Sequence, residues 1–530
     1  MRLKPSLLLF CSLLASPSIY AAISTPIDVS PEIARESDSA STDSPAKSAM
    51  DAFRAGDVEK AVTLATPLAA AGNLDALYLL GFAHESGKGA ELSIEKATGY
   101  YQKAAAGGQK DAIYRLAFIQ LASEKEEDRK AARESLESAA KTDPAVAGRI
   151  LGEAWLRGRL SKEPDFDKAL QWWTTAANAN DVPSILLVAR LYEGQFGFAD
   201  KKDAKKSLDA YRKAGELGDA SAMTAVGSRL LNGPEASRDE KEGREWLKKA
   251  IDQKDYTAFL ALGDFEENVK KDPKAALAAY EKGKDVGQID CTLRAADAYM
   301  EGKGTEKDLD RGMRLLETAA KAGSPLAHLR LAANAFSADK PDLLNGYSHL
   351  LSASTGGIAE AQNELGLLYL SGKLGTADIP AAAAWFGRAA QSGYAASQNN
   401  LATLYERGAG VPQNLQSAGQ LYLLAAQQGH GPATLALARW QAQGIGGKAD
   451  LPKAWALATV AADRGEKGAA PLIKQLEEKL DAKQLEDAKK QLADIKSGKP
   501  AAAAAAAKDA DKPADEKKAP AKPDAKPTKK

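Results

Sequence analysis

Eleven times along this chain a small residue opens a set of positions i, i+3, i+4, i+7 and i+8, filled in the clearest copies by two large residues and then two small ones. Ala97–Tyr100–Tyr101–Ala104–Ala105, Ala169–Trp172–Trp173–Ala176–Ala177 and Ala382–Trp385–Phe386–Ala389–Ala390 are examples. On a helix of 3.6 residues per turn these five positions form one stripe. A second phrase, Ala-x-x-x-Leu-Gly-x-x-Tyr, precedes each one, as at Ala361, Leu365, Gly366 and Tyr369. The pattern predicts pairs of amphipathic helices, here called A (the Leu-Gly helix) and B. Large residues in the middle of the B stripe are expected to fill the gap between layers, and small residues at its ends to let helices approach. The Leu-Gly position recurs at 81, 117, 152, 189, 227, 263, 296, 332, 366, 402 and 438. A period of this length means stacked helical hairpins.

The length differences are not spread evenly. From the last small residue of a B helix (Ala105, Ala177, Ala390) to the next Leu-Gly position the count is always 12, whereas from that position to the next B helix it varies between 13 and 18. The B-to-A junction is therefore expected to be locked against the neighbouring layer, and the A-to-B loop to lie on an open edge. Helix A often ends in Gly-x-Gly (Gly87–Gly89, Gly302–Gly304, Gly408–Gly410), where glycine permits a left-handed end. Helix B starts behind a short polar residue in every repeat: Ser93, Asp128, Asp165, Asp203, Asp239, Asp272, Asp308, Asp342, Asp378, Asn414 and Asp450. Such side chains accept first-turn amide hydrogens, worth about 1 kcal/mol each, so these acids are read as caps and not as catalysts.

The run Gly357-Ile-Ala-Glu-Ala-Gln-Asn-Glu-Leu-Gly-Leu-Leu-Tyr369, continued by Gly372, Asp378, Trp385-Phe386 and Ala389-Ala390, resembles the Sel-1-like repeat (SLR), a relative of the tetratricopeptide repeat. Residues 393–429, with Leu401, Tyr405, Gly408-Ala-Gly410-Val411 and Ala425-Ala426, are similar to the same repeat. The resemblance spans about 72–465, divergent over 72–356 and close over 357–465; repeat two has Ala117 for Gly and Gln120 for Tyr. It implies an all-α fold, a right-handed superhelical α/α solenoid of about eleven two-helix repeats. Residues 47–71 read as a degenerate N-terminal hairpin. Residues 466–498, containing the polar stretch Leu472–Ile495, read as a C-terminal capping helix with one wet face.

The ends read differently. Residues 1–22 have the form of a secretory signal: Arg2 and Lys4, an apolar stretch Ser6–Ala15, and Ile19-Tyr20-Ala21 before the cut. Phe10 before Cys11 departs from a lipoprotein signal. Residues 23–46 read as a flexible leader and 499–530 as a disordered Ala/Lys/Pro tail. No later run is long enough to span a membrane. A periplasmic or secreted location follows as the expectation. With the signal removed only Cys291 remains, at a place where other repeats put Ala76, Ala361 or Ala433, and it is read as a small buried residue. The formal charge is zero, with 71 basic and 71 acidic residues, which gives no support to nucleic-acid binding.

Catalytic chemistry is not written in the chain. Of the four His, His84 takes the helix A Tyr place and His349 a helix B aromatic place, His328 follows a small helix A residue, and His430 lies in an inter-repeat turn. None has a partner at i+3 or i+4, so no metal, cofactor or catalytic residue is assigned. Some secreted family members are linked to penicillin binding, but those carry paired Cys in each repeat, so a wall-modifying or penicillin-interacting enzyme is the remote alternative. What the array implies is a long wall lined by A helices. Arg115, Arg294, Arg330, Asn363, Glu364, Asn399 and Asn400, beside the Leu-Gly positions, are the candidate concave-face residues for partner binding. The expectation is a non-enzymatic exported scaffold for protein partners in cell-envelope assembly, with exopolysaccharide export as the specific case, since the family includes a scaffold of alginate secretion. A cell-wall-associated binding protein held by its Lys-rich tail is the alternative.

Overall fold

The computed structural model describes residues 46–161, 163–197 and 201–497. The expected signal sequence, the leader up to residue 45 and the tail lie outside these. Twenty-six α-helices and no strand are found among the described residues. The chain divides into two compact units, ending at Asp308 and starting at Leu309.

The first unit contains α1 (Lys47–Arg54), α2 (Val58–Ala70), α3 (Leu74–Ser86), α4 (Ile94–Ala106), α5 (Lys110–Ala122), α6 (Glu126–Ala139), α7 (Pro144–Leu156) and α8 (Phe166–Asn178). It continues with α9 (Val182–Tyr192), α10 (Ala204–Glu216), α11 (Ala220–Asn232), α12 (Glu240–Asp252), α13 (Thr257–Phe265), α14 (Pro273–Asp285) and α15 (Ile289–Glu301). The second contains α16 (Leu309–Lys321), α17 (Pro325–Ser337), α18 (Leu343–Thr355), α19 (Ala359–Ser371), α20 (Ile379–Gln391) and α21 (Ala395–Arg407). It ends with α22 (Leu415–Gln427), α23 (Gly431–Gln443), α24 (Leu451–Asp463), α25 (Ala469–Glu477) and α26 (Ala482–Lys496). Within each unit a helix packs chiefly on its neighbours in sequence, A on B and B on the next A. The fold is thus an all-α solenoid of paired helices.

The B stripe is the core, but its two large residues do different jobs. The second one is the plug: Tyr101, Trp173, Tyr280, Phe386 and Tyr422 are all buried. It presses on the A helix of its own hairpin, where a Cβ at Gly366 would stand 2.6 Å from the Phe386 ring and one at Gly152 2.3 Å from Trp173. At these two positions glycine leaves room for the ring, whereas Tyr211 and Tyr422 are buried in hairpins that carry Ala189 and Ala402 there. The first large residue is half-buried and serves the layer before: Trp385 packs against the cluster of Leu350, Ala361 and Leu365, with the Arg388 guanidinium 4.4 Å above its ring. Both large residues thus reach a neighbouring layer, as expected: beyond its own hairpin Phe386 clusters with Leu401 and Leu404 of α21, and the Tyr422 ring lies 5.6 Å from that of Trp440 on α23.

The fixed B-to-A junction has a local cause. Three residues after the second small residue the backbone turns left-handed: Gly108, Gly218, Gly287, Gly323, Gly357, Gly393 and Gly429 all have positive φ there. At Gly393 the turn closes with its N–H donating to the Ala390 carbonyl and that of Tyr394 to Ala389, a paired helix end. Asn180 (φ 63°) and Lys254 (φ 67°) hold the same position without glycine.

The A-to-B loop is not an open edge where Gly-x-Gly is kept. A Cβ at Gly410 would meet the Ile379 carbonyl carbon at 2.7 Å, and one at Gly304 the Pro273 carbonyl oxygen at 2.2 Å. The loop therefore rests its backbone on the first turn of the preceding B helix. The shortest loop, after Gly263, is handled otherwise: α13 widens into a π turn over Glu266–Lys270, and Lys271 takes a left-handed φ of 58°.

Nine of the eleven caps accept a first-turn amide hydrogen as expected: Ser93, Asp165, Asp203, Asp239, Asp272, Asp342, Asp378, Asn414 and Asp450. Asp128 does not. Helix α6 starts earlier, at Glu126, so Asp128 lies inside its first turn and accepts from the Ser123 hydroxyl at 2.6 Å. Asp308 precedes α16, and its own N–H donates to the Tyr299 carbonyl. At the C-terminus the cap consists of two helices, α25 and α26, because Asp481 and Gln484 form a capping box that restarts the chain. Leu472, Ile473, Leu476 and Ala488 close over Trp455 there.

Candidate functional site

Four B helices carry Tyr as the buried plug, and each hydroxyl finds a carboxylate on the A helix before it. Tyr101 donates to Glu85 (2.6 Å), Tyr422 to Glu406 (2.7 Å) and Tyr211 to Glu193 (3.3 Å). The Tyr280 hydroxyl lies 3.0 Å from Asp264 and 2.9 Å from Glu267. The next A helix then supplies a donor to the same acid. Arg115 meets Glu85 at 3.5 Å, Arg294 meets Asp264 at 3.5 Å, Arg229 pairs with Glu193, and the Trp440 indole donates to Glu406 at 2.8 Å. Burial, and then the adjoining carboxylates, push the Tyr101 and Tyr280 hydroxyls well above their usual range, so both stay protonated donors. Burial likewise raises the Asp264 carboxyl. The arrangement is a clip: plug, acid and a donor from the next A helix tie one layer to the next.

Two candidate residues are thereby accounted for. Arg115 and Arg294 bind acids inside the molecule, and Arg115 also lies 5.2 Å over the Phe82 ring. Arg330 is half-buried on α17. The structure brings four of the others together across α19 and α21. Asn363 is buried, and its Oδ1 accepts from Ser397 Oγ (2.8 Å) and Asn400 Nδ2 (3.1 Å) while its Nδ2 donates to Glu364 (3.3 Å). The Asn399 amide points to Asn400 at 3.5 Å, and its carbonyl accepts from Thr403. Glu364 reaches solvent, yet the surrounding protein raises its carboxyl above the ordinary range. Asn363 and Asn400 form an inter-repeat tie, Asn399 keeps to its own helix, and Glu364 is the exposed member of the set.

A further tie was not anticipated. The carbonyl of the second small residue of a B helix receives a side-chain donor in four layers: Lys213 on Ala177 (2.5 Å), Gln362 on Ser354 (3.0 Å), Gln398 on Ala390 (3.4 Å) and Arg464 on Ala426 (3.4 Å). Beyond these ties α19 presents an apolar strip: Leu367, Leu370 and the following Leu374 are 37%, 36% and 39% exposed. Glu364 stands one turn before it. Cys291 is buried and burial pushes its thiol up to about 12, which removes nucleophilic character at neutral pH. Among the described residues, no group of three or more His, Cys, Asp or Glu is placed to hold a metal ion. Nor is any helix there long and apolar enough to cross a membrane.

The family model described as Sel1 repeat matches at 74–109, 150–181, 183–219, 220–255, 289–324, 359–394, 395–430 and 431–466, over half of the chain. Each match begins at an A helix and most close on the left-handed turn. A crystal structure of a protective antigen from uropathogenic Escherichia coli strains, with an SLR fold, is 22% identical over 87% of this chain and 99% of that one, with a TM-score of 0.36. A Sel1 repeat protein from Oxalobacter formigenes is 26% identical over 61% of this chain and 93% of its own, with a TM-score of 0.41. Yeast Tom70 is 14% identical over 81% and 94%, with a TM-score of 0.31. No curated protein matches the chain. On the eight matched repeats, the chain belongs to the Sel1 repeat family.

Proposed function

We propose that this chain is an exported, non-enzymatic scaffold that docks protein partners of the cell envelope on the outward face of its A helices. Sel1 repeats make protein-interaction scaffolds, and this is the general class of the chain. The observation that supports the finer reading is the strip Leu367, Leu370 and Leu374 beside Glu364. It stays uncovered while neighbouring polar side chains are consumed in ties between layers. A preformed apolar strip on a packed helix binds without a large ordering cost. Export is supported by the signal-like residues 1–22, and an assembly that handles exopolysaccharide is the specific case proposed.

The test is affinity capture from an envelope fraction with the full chain and with Leu367→Glu/Leu370→Glu. The wild type should retain a defined partner set that the double variant loses while its circular dichroism is unchanged. An identical set from both would reject the strip, and a cytosolic location on fractionation would reject export. The Lys-rich residues 499–530 support a second reading, a tether to an anionic wall polymer. Sedimentation with purified peptidoglycan, with and without those residues, separates the two: no tail-dependent binding rejects the tether.

A further inference from the structure

Two histidines 21 positions apart meet inside one hairpin of the second unit. His328 on α17 and His349 on α18 place their Nδ1 atoms 2.9 Å apart. The ring centroids are 5.1 Å apart, longer than the nitrogen separation by nearly two ring radii, so the rings approach head-on. A metal ion on that line would need about 4 Å, two bonds of roughly 2.0–2.1 Å. The contact is a hydrogen bond with one proton between two nitrogens.

One Nδ1 carries the shared hydrogen and the other accepts it, whichever tautomer is present. The bond survives while one of the two facing nitrogens stays bare. When both imidazoles are protonated, each Nδ1 carries a hydrogen, so two N–H groups and two like charges face each other. Both rings are half-buried, so water supplies these protons.

We propose that the His328–His349 contact is an acid-sensitive latch: it closes the hairpin of α17 and α18 while the pair holds at most one extra proton, and it opens when both imidazoles are charged. Burial and then His349 hold the His328 pKa below its ordinary value, in keeping with a ring that resists its proton while the latch is shut. The helices packed around the pair offer little to neutralise it. Helix α18 has no Asp, Glu, Lys or Arg; α16 carries Asp310, Arg311, Arg314, Glu317 and Lys321, α17 carries Arg330, and α19 carries Glu360 and Glu364. Of all these titratable groups, His349 is the one that shifts His328. The hairpin also lies between matched repeats, in 325–358, where the family model finds no copy.

Hydrogen exchange on the full chain tests the latch. After correction for the intrinsic pH effect, amides of α17 and α18 should exchange at least about tenfold faster at pH 5.0 than at pH 7.5, the equivalent of roughly one unit of pKa difference. His349→Phe, which restores an aromatic residue at that B position, should flatten the response. His328→Gln provides a second variant should the first disturb folding at pH 7.5, and it should flatten the response equally. A wild-type ratio near one, or folded variants that keep the acid response, would overturn the proposal.

Discussion

Gly366→Ala is a one-carbon change whose cost the plug geometry sets. The new Cβ would stand 2.6 and 2.7 Å from two ring carbons of Phe386 and 3.0 Å from a third. That ring is fully buried, so it cannot swing aside. Overpacking of this kind costs about 1–3 kcal/mol. Against it stands the gain from replacing glycine inside a helix, about 1 kcal/mol. The single variant should therefore lose roughly 0–2 kcal/mol. Phe386→Leu alone opens a cavity and should cost about 1–3 kcal/mol. The preceding hairpin already holds the combination of both changes: Ala332 and Leu350 pack in one cluster, both buried. The double variant should cost less than the sum of the singles by about 1–2 kcal/mol.

A double-mutant cycle reads this directly. Trp385, half-buried next to the plug, serves as a fluorescence reporter in urea titrations, with hydrogen exchange of α19 and α20 as the local check, because stacked arrays need not unfold in one step. Additivity within about 0.5 kcal/mol would refute the argument that glycine is retained to admit the ring.

Three other expectations follow from the same geometry. Lys254→Gly should raise stability by about 1–2 kcal/mol, since a left-handed lysine at φ 67° takes the place of glycine in the B-to-A turn, and an unchanged melting temperature would refute the strain. Cys291 should stay unmodified by a thiol reagent at pH 8 until denaturant is added; prompt labelling of the folded chain would refute its burial. His430 caps α23 through Nδ1, which accepts from the Ala433 N–H at 3.3 Å, and burial lowers its pKa while Glu466 partly opposes. A lowered folded pKa means that the unfolded chain takes the proton first. This stabilisation is present above pH of about 6.5 and is lost as pH falls through the folded pKa. His430→Asn keeps a cap without titrating, so it should narrow the melting difference between pH 7.5 and 5.5; an equal difference in both proteins would refute the role.

The helices and the family were legible because period and stripe are backbone properties that recur in every layer. The clips were legible too, though by a different signal. Wherever the second large residue of B is Tyr (Tyr101, Tyr211, Tyr280, Tyr422), a Glu stands four positions after the Leu-Gly site: Glu85, Glu193, Glu267 and Glu406. Where the plug is Trp173, Phe386, Leu136, Leu247, Leu316, Leu350 or Ala458, that position is Leu156, Leu370, Leu121, Leu231, Met300, Phe336 or Ala442. A buried hydroxyl needs an acceptor, an apolar ring does not, and the two positions vary together inside one chain. Arg115 and Asn363 turn out to contact the adjoining layer, because a polar residue next to a stripe also lies next to that layer. The His pair could not be read, since each imidazole occupied an ordinary repeat place and only folding brings 328 beside 349.

The uneven placement of the clips bears on function. Layers touch only their neighbours, so local stability is set layer by layer. In the second unit the Tyr422 clip, with Glu406 and Trp440, binds α21, α22 and α23, and the Asn363 ties bind α19 to α21. The hairpin of α17 and α18 has Phe336 and Leu350 in place of acid and Tyr, and holds its A–B contact with two titratable rings instead. The exposed leucines of α19 therefore stand between a firmly tied block and a layer whose polar contact responds to acid. If α19 is where partners dock, its rigidity on one side comes from amides that never touch the partner. Replacing Asn363 with Leu should then weaken docking at Leu367 through a loosened helix, without removing a single contact of the strip.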